Sequence, residues 1–121
     1  MIRLAELDVD GPAEVRIAHL RGELDLSNTS DIADALAIAA EQAELGLVLD
    51  MAQLRHIDSA GVRLLFDLRR RLGRHRRQLA LAVPADSRIR EVLDMTAVHQ
   101  AMPVAASVDE AVDAVRAAAS S

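Results

Sequence analysis

An α/β domain built on a small mixed sheet is the fold class this chain's patterning predicts, and three observations predict it. Two short apolar runs, Leu47-Val48-Leu49 and Leu79 to Val83, lack the alternation of a half-exposed strand. Such runs suit parallel strands covered by helices on both faces. Segments with apolar residues at helical spacing lie between and after them, which is the chain order of an α/β fold. Two N-terminal strands joined by a Gly-Pro turn read as an antiparallel hairpin, which makes the sheet mixed. With 121 residues the chain is long enough for one core and too short for two.

The elements follow in order. Ile2 to Val9 mixes apolar and charged residues with partial alternation, and Asp10-Gly11-Pro12 turns the chain. Val15 to Leu20 alternates more clearly, with Val15, Ile17 and His19 on one side and Arg16, Ala18 and Leu20 on the other. After Gly22-Glu23-Leu24-Asp25-Leu26 comes Ser27-Asn28-Thr29-Ser30-Asp31, a run of helix-capping residues in which Asn28 and Asp31 resemble a capping pair. Ile32, Leu36 and Ala39 or Ala40 then recur at helical spacing, and the helix is expected to end near Leu45-Gly46. The buried strand Leu47 to Leu49 is closed by Asp50, and a loop leads to a second helix from Ser59 to about Gly73. That helix carries Val62, Leu65, Phe66 and Leu72 on one stripe, widened by Leu64 and Leu68. Leu79 to Val83 is the next strand, stopped by Pro84. Ser87 to Met95 reads as a short helix, Ala101 to Ala105 as a last strand, and Ser107 caps a final helix from Val108 to Ala119. The expectation is a four- to five-stranded mixed sheet with about four helices packed against it, without internal repeat or dividing linker.

Composition excludes several chemistries. Phe66 is the sole aromatic residue, Cys is absent, and all 14 basic residues are Arg. Stacking platforms and aromatic cages need rings, and disulfides, thiolate nucleophiles and zinc–thiolate sites need Cys. A formal charge of −5 disfavours general polyanion binding. No stretch approaches a membrane span, and Arg3, Glu6, Asp8 and Asp10 interrupt any signal-peptide core, so a cytoplasmic domain is the expected class.

The segment that carries chemistry begins at Leu47 and runs through Asp58-Ser59-Ala60-Gly61 at the start of the second helix. A serine there can cap the first turn, worth on the order of 1 kcal/mol. It also stands where a phosphate would meet unpaired backbone N–H groups and the positive end of the helix dipole. Ala60 and Gly61 leave the approach to the hydroxyl open.

This run resembles the signature of the STAS family, the sulphate transporter and anti-sigma factor antagonist domains. The matching residues are the strand and its Asp50-Met51 exit, the Ile57-Asp58-Ser59-Ala60-Gly61-Val62 core, Leu64-Leu65, and the upstream landmark Gly22-Glu23-Leu24-Asp25. The resemblance spans nearly the whole chain and implies one STAS domain over residues 1–121. For a free-standing domain it also implies an anti-sigma factor antagonist that works by partner switching. The unphosphorylated form would bind an anti-sigma factor that is also an ATP-dependent serine kinase, and so release a sigma factor. Phosphorylation of the residue matching the family's serine, Ser59, would end that binding, and a serine phosphatase of the metal-dependent class would restore it. Asp25, Asp58, Ser59, Ala60 and Gly61 are then the expected partner-binding residues, and the chain needs no cofactor or metal. The same family offers a second expectation, a cytoplasmic accessory subunit of a lipid-transport complex in which the serine serves docking.

Other residues point less far. Asp25 and Asp50 also read as loop or turn carboxylates that hold local hydrogen bonds. His19, His56, His75 and His99 show no close metal-ligand spacing. A serine hydrolase built from Ser59 with His56 or His99 is a remote alternative, since the Gly-x-Ser-x-Gly elbow is absent. Arg69, Arg70, Arg71, Arg74, Arg76 and Arg77 fall at the end of the second helix and the turn after it, where cations complement the helix dipole. Direct nucleic-acid binding is not expected of them, and the length of the helix is expected to keep them out of the Ser59 site.

Overall fold

The computed structural model describes residues 5–120. Its five strands are β1 (Ala5–Asp10), β2 (Val15–Leu24), β3 (Gly46–Ile57), β4 (Gln78–Ala82) and β5 (Val104–Ala105). Its helices are α1 (Thr29–Glu41), α2 (Ser59–Gly73), α3 (Arg88–Asp94), α4 (Val98–Ala101) and α5 (Val108–Ala119). The strands form one sheet in the order β1-β2-β3-β4-β5; β1 pairs antiparallel with β2 and every other pair is parallel. The expected mixed α/β sheet is therefore present. The part of the N-terminal strand expected at Ile2 to Leu4 lies outside the described residues.

The uninterrupted apolar runs have their reason in the two covered faces of the sheet. Leu47, Leu49 and Met51 of β3 and Leu79 and Leu81 of β4 enter a large core with α1 to α4. Val48, Ala80 and Ala82, which alternate with them, enter a second cluster with Ala111 and Val115 of α5. Over Leu47 to Leu49 and Leu79 to Ala82 neither face of the sheet meets water, so these runs show no polar residues. On β2 the predicted alternation holds: Ala18 and Leu20 join the first cluster, while Val15 and Ile17 belong to the second. On α2 the buried stripe is Gly61, Leu64, Leu65, Leu68 and Leu72, with Val62 and Phe66 at its edge rather than its centre.

Several boundaries differ from expectation. β3 has no loop after Asp50 but continues to Ile57, pairing through Leu54 and Ile57 with Gly22 and Leu24. The pairing slips between His19 and Arg21 and again between Gly22 and Glu23, and Gly22 has φ +94°. These irregularities space the buried residues Met51, Leu54 and Ile57 three apart, a period that announces neither strand nor helix. β2 extends to Leu24 for the same reason. α1 stops at Glu41, because the N–H groups of Glu44 and Leu45 bond to Ala13 and Glu14 instead of continuing the helix. The stretch expected as a strand from Ala101 resolves into α4 and the two-residue β5. The predicted cap Ser107 accepts from the Glu110 N–H, and Ser87, expected as the first residue of a helix, instead caps α3 by accepting from the Arg90 N–H.

Candidate functional site

The site forms where the parallel strands β2 and β3 both end. Leu24 closes β2 and its carbonyl accepts from the N–H of Asp58 at 3.2 Å, tying the exit of one strand to the start of α2. Gly61 lies buried at this junction; a Cβ there would stand 2.6 Å from Ile57 Cγ1 and 2.8 Å from the Leu24 carbonyl oxygen. Its smallness lets α2 seat against the strand ends. It does not open the approach to the serine, which corrects the role expected of Gly61 from its spacing.

The cap of α2 is Asp58, not Ser59. The Asp58 carboxylate accepts from the Gly61 N–H at 3.0 Å and, with its other oxygen, from the Leu26 N–H at 3.2 Å. One carboxylate thus caps the helix and anchors the β2–α1 loop. The Gly61 N–H is the main cause that holds Asp58 below the usual carboxylate range; burial opposes it, while the Leu26 and Ala60 N–H groups and nearby His56 add to it. Ser59 is consequently the first residue of the helix, exposed, and its hydroxyl makes no hydrogen bond among the described residues. That hydroxyl is free for chemistry.

Asp25 and Asn28 shape the loop beside it. Asp25 Oδ1 accepts from both the backbone N–H and the hydroxyl of Ser27. Asn28 does not cap α1 with its side chain as expected; its Nδ2 donates to the Glu23 carbonyl at 2.7 Å and its Oδ1 accepts from the Asp25 N–H. These local bonds present Leu26, which is 80% exposed beside the Ser59 end of α2.

α1 and α2 enclose a groove of about 760 Å³ that starts at Leu26, Asp58, Ser59 and Ala60. Ala33, Leu36, Leu64 and Leu68 give it an apolar floor, and Arg63, Asp67, Arg70, Arg71 and Arg74 line it further along. Asp25 is not among the lining residues. Of the six arginines at the end of α2, Arg70, Arg71 and Arg74 therefore share a groove with Ser59, contrary to the expectation that helix length would separate them, while Arg69, Arg76 and Arg77 do not line it. The reason is lateral: Ser59, Arg63, Asp67, Arg70, Arg71 and Arg74 recur at three- and four-residue intervals and fall on one face of the helix. This spacing is legible in the sequence. Leu26 is not, since nothing in its neighbours announces that a loop leucine is left out of the core.

Asp50 is a mid-strand residue rather than a strand end. Its Oδ1 accepts from the Ala52 N–H, and its Oδ2 meets His19 Nδ1 at 2.7 Å, while His19 Nε2 meets Asp10 at 2.9 Å. Burial alone would lower the His19 pKa, but the hydrogen bonds to Asp50 and Asp10 outweigh it and raise it above the usual 6.5. His99 pairs with Asp94 between α3 and α4, and no hydrogen bond joins Ser59 to His56 or His99 among the described residues. Among those residues no group of three or more His, Cys, Asp or Glu is placed to hold a metal ion, and no helix is long and apolar enough to cross a membrane.

Comparison with known proteins gives this arrangement its family. No curated protein sequence matches the chain. Among solved structures, it is similar to an anti-sigma factor antagonist from Mycobacterium paratuberculosis, at 21% identity and a TM-score of 0.77, over 93% of this chain and 94% of that one. It is also similar to the anti-sigma factor antagonist SpoIIAA in its unphosphorylated form, at 25% identity and a TM-score of 0.73, over 93% and 97% of the two chains. A structure of the Bacillus cell fate determinant SpoIIAA in the phosphorylated form matches at 26% identity and a TM-score of 0.66, over 92% and 100%. The STAS domain family model matches residues 6–111, and the chain belongs to the STAS domain family.

Proposed function

We propose that this chain is an anti-sigma factor antagonist whose binding to an anti-sigma factor is switched off by phosphorylation of Ser59. The observation that carries the reading is the hydroxyl of Ser59: exposed, without a hydrogen bond among the described residues, at the mouth of a groove, with Asp58 doing the capping that would otherwise occupy it. The resemblance of the Asp58-Ser59-Ala60-Gly61 run to the family's phosphoacceptor motif supports it, as does the existence of SpoIIAA in both phosphorylation states.

The partner is an anti-sigma factor with serine kinase activity. It supplies ATP, so the chain itself catalyses nothing and needs no cofactor. Ser59 Oγ bonds to the γ-phosphorus of ATP, the bond from that phosphorus to the β,γ-bridging oxygen breaks, ADP leaves, and the hydroxyl proton passes to a base of the kinase. A metal-dependent serine phosphatase returns the serine by hydrolysis. Leu26, Asp58, Ser59 and Ala60 form the docking surface, with Asp25 holding the loop that carries Leu26. The phosphate brings about −1.5 to −2 charges at neutral pH. Placed on the docking surface, it blocks contact rather than unfolding the chain. A loss of about 3 kcal/mol of association free energy lowers affinity by more than a hundredfold.

Intact mass after incubation with ATP and the candidate anti-sigma kinase tests the assignment. One added phosphate on the wild type and none on Ser59→Ala is expected, with Ser59→Ala retaining kinase binding. Equal labelling of the two proteins would overturn it.

A further inference from the structure

Arg63 lies one helical turn beyond Ser59, on the same face of α2 and in the same groove. No hydrogen bond or ion pair engages its guanidinium among the described residues. The nearest acidic groups along the stripe are otherwise committed: Asp58 to the Gly61 and Leu26 N–H groups, and Asp67 to Arg70. The groove carries four arginines against two aspartates in a chain whose net charge is −5, so this strip is basic against the trend of the whole molecule. Of the first-turn backbone donors, the ordinary partners of an anion at a helix start, the Gly61 N–H is meanwhile engaged by Asp58, which also draws on the Ala60 N–H. With those donors turned to Asp58, the strongest partner left for a phosphate on Ser59 is the cationic side chain one turn along the groove.

We propose that Arg63 is the residue that receives the Ser59 phosphate, holding it against α2 by a charge-assisted, forked hydrogen bond. The inference rests on the phosphoacceptor reading of Ser59 and adds to it a chain-intrinsic partner for the modified state. Arg63 is a positioning residue: it does not take part in phosphoryl transfer. It holds the dianion in one place, and its own charge is withdrawn from the groove when the phosphate arrives. Modification of Ser59 thereby removes a cation from the docking surface as well as adding an anion. A guanidinium suits this task better than an ammonium, because its planar donors match two phosphate oxygens at once.

The test uses full-length protein carrying phosphoserine at position 59, installed during translation so that no kinase is needed. Failure of a kinase to modify Ser59 would thus count against the proposed function and leave this test intact. The second ionisation of the phosphate, near pH 6 for free phosphoserine, is followed by phosphorus NMR. It should fall in the otherwise wild-type protein and return upward in Arg63→Gln by about half a pH unit, a threefold change in proton affinity. Arg63→Lys should recover part of the difference, and Arg88→Gln, on the exposed start of α3, should leave the ionisation where it was. An identical ionisation with and without Arg63 would overturn the assignment, as would a larger response to Arg71→Gln. If the phosphoserine protein fails to fold, thermal melts of Ser59→Asp, Arg63→Gln and the double variant decide instead. A favourable coupling between the two positions is expected, and additivity refutes it.

Discussion

Replacing Asp58 by alanine should separate the two duties of that carboxylate. The cap bond to the Gly61 N–H, at 3.0 Å, is of the kind worth about 1 kcal/mol. The bond to the Leu26 N–H, at 3.2 Å, fixes a solvent-exposed loop and is worth about 0.5 to 1 kcal/mol, since water replaces it when it is lost. Asp58→Ala should therefore destabilise the fold by about 1.5 to 2 kcal/mol, lowering Tm by roughly 5 to 10 °C in a domain of this size. The pH dependence gives the sharper reading. Because the folded pKa of Asp58 is lowered from 3.8, its contribution is complete above 3.8 and is lost as pH falls through the folded value. Urea melts of both proteins near neutrality and at pH values well below 3.8 should show the gap closing in acid. Asp58→Asn, which keeps one oxygen for the Gly61 N–H but puts an NH2 group where the other oxygen accepts from Leu26, should lose about 0.5 to 1 kcal/mol together with the acid dependence. Amide exchange should accelerate at Leu26 and Gly61 together in Asp58→Ala. A stability gap that is the same at every pH, or exchange that changes at only one of the two amides, would refute the reasoning.

Gly61→Ala forces a Cβ to within 2.6 Å of Ile57 and 2.8 Å of the Leu24 backbone, so α2 must shift, at a cost of about 2 kcal/mol and roughly 6 to 10 °C in Tm. Gly73→Ala meets nothing within 4 Å and should leave stability unchanged or raise it by up to about 1 kcal/mol; thermal melts of the pair check the contrast. Leu26→Ser should leave the stability in urea within about 0.5 kcal/mol of wild type, because the side chain is 80% exposed, yet, under the proposed function, weaken binding of the anti-sigma factor by at least about tenfold in calorimetry. For His19, a raised folded pKa means that its stabilisation is complete below 6.5 and is lost as pH rises through the folded value. The advantage of wild type over His19→Gln in urea should therefore shrink on going from acid to alkaline pH, and an advantage that grows instead contradicts the Asp10–His19–Asp50 arrangement.

What the sequence made legible follows from which forces act locally. The apolar runs of β3 and β4 and the helical stripes of α2 and α5 depend on side-chain burial at regular periods, and burial leaves its period in the residues. The cap Ser107 depends on a neighbour three residues away, and it too could be read. The second half of β3 could not, because its burial period of three comes from a register slip against β2, a property of two strands at once. The same limit applies at the site. Ser59 stood out through its motif, but the identity of its cap depended on whether Asp58 or Ser59 faced the first-turn N–H groups. The contact between Asp58 and Leu26 spans 32 residues and had no local sign. Asn28 illustrates the converse: its residue type suits a cap, and tertiary structure gave its amide the Glu23 carbonyl instead.

The groove changes how the charge of this protein bears on its switch. Ser59 and Arg74 are 15 positions apart, about 22 Å along the helix axis, whereas Arg63 stands about 6 Å along it from Ser59. At physiological salt an exposed charge is screened over about 8 Å. A phosphate at Ser59 therefore acts on Arg63 and scarcely on Arg74, although one groove holds them all. The two ends of the groove are electrostatically separate: under the proposed function the mouth, where Asp58 and Arg63 balance, turns negative on modification, while the far end keeps its positive field in both states. Under the proposed function, a partner that used only the mouth would lose its binding on phosphorylation, and salt would change little of what remained. A partner that also lay along Arg70, Arg71 and Arg74 would keep a residual affinity for the phosphorylated form, and that residue would fall steeply as salt is added. The salt dependence of binding in the two modification states thus measures how far along α2 the partner reaches.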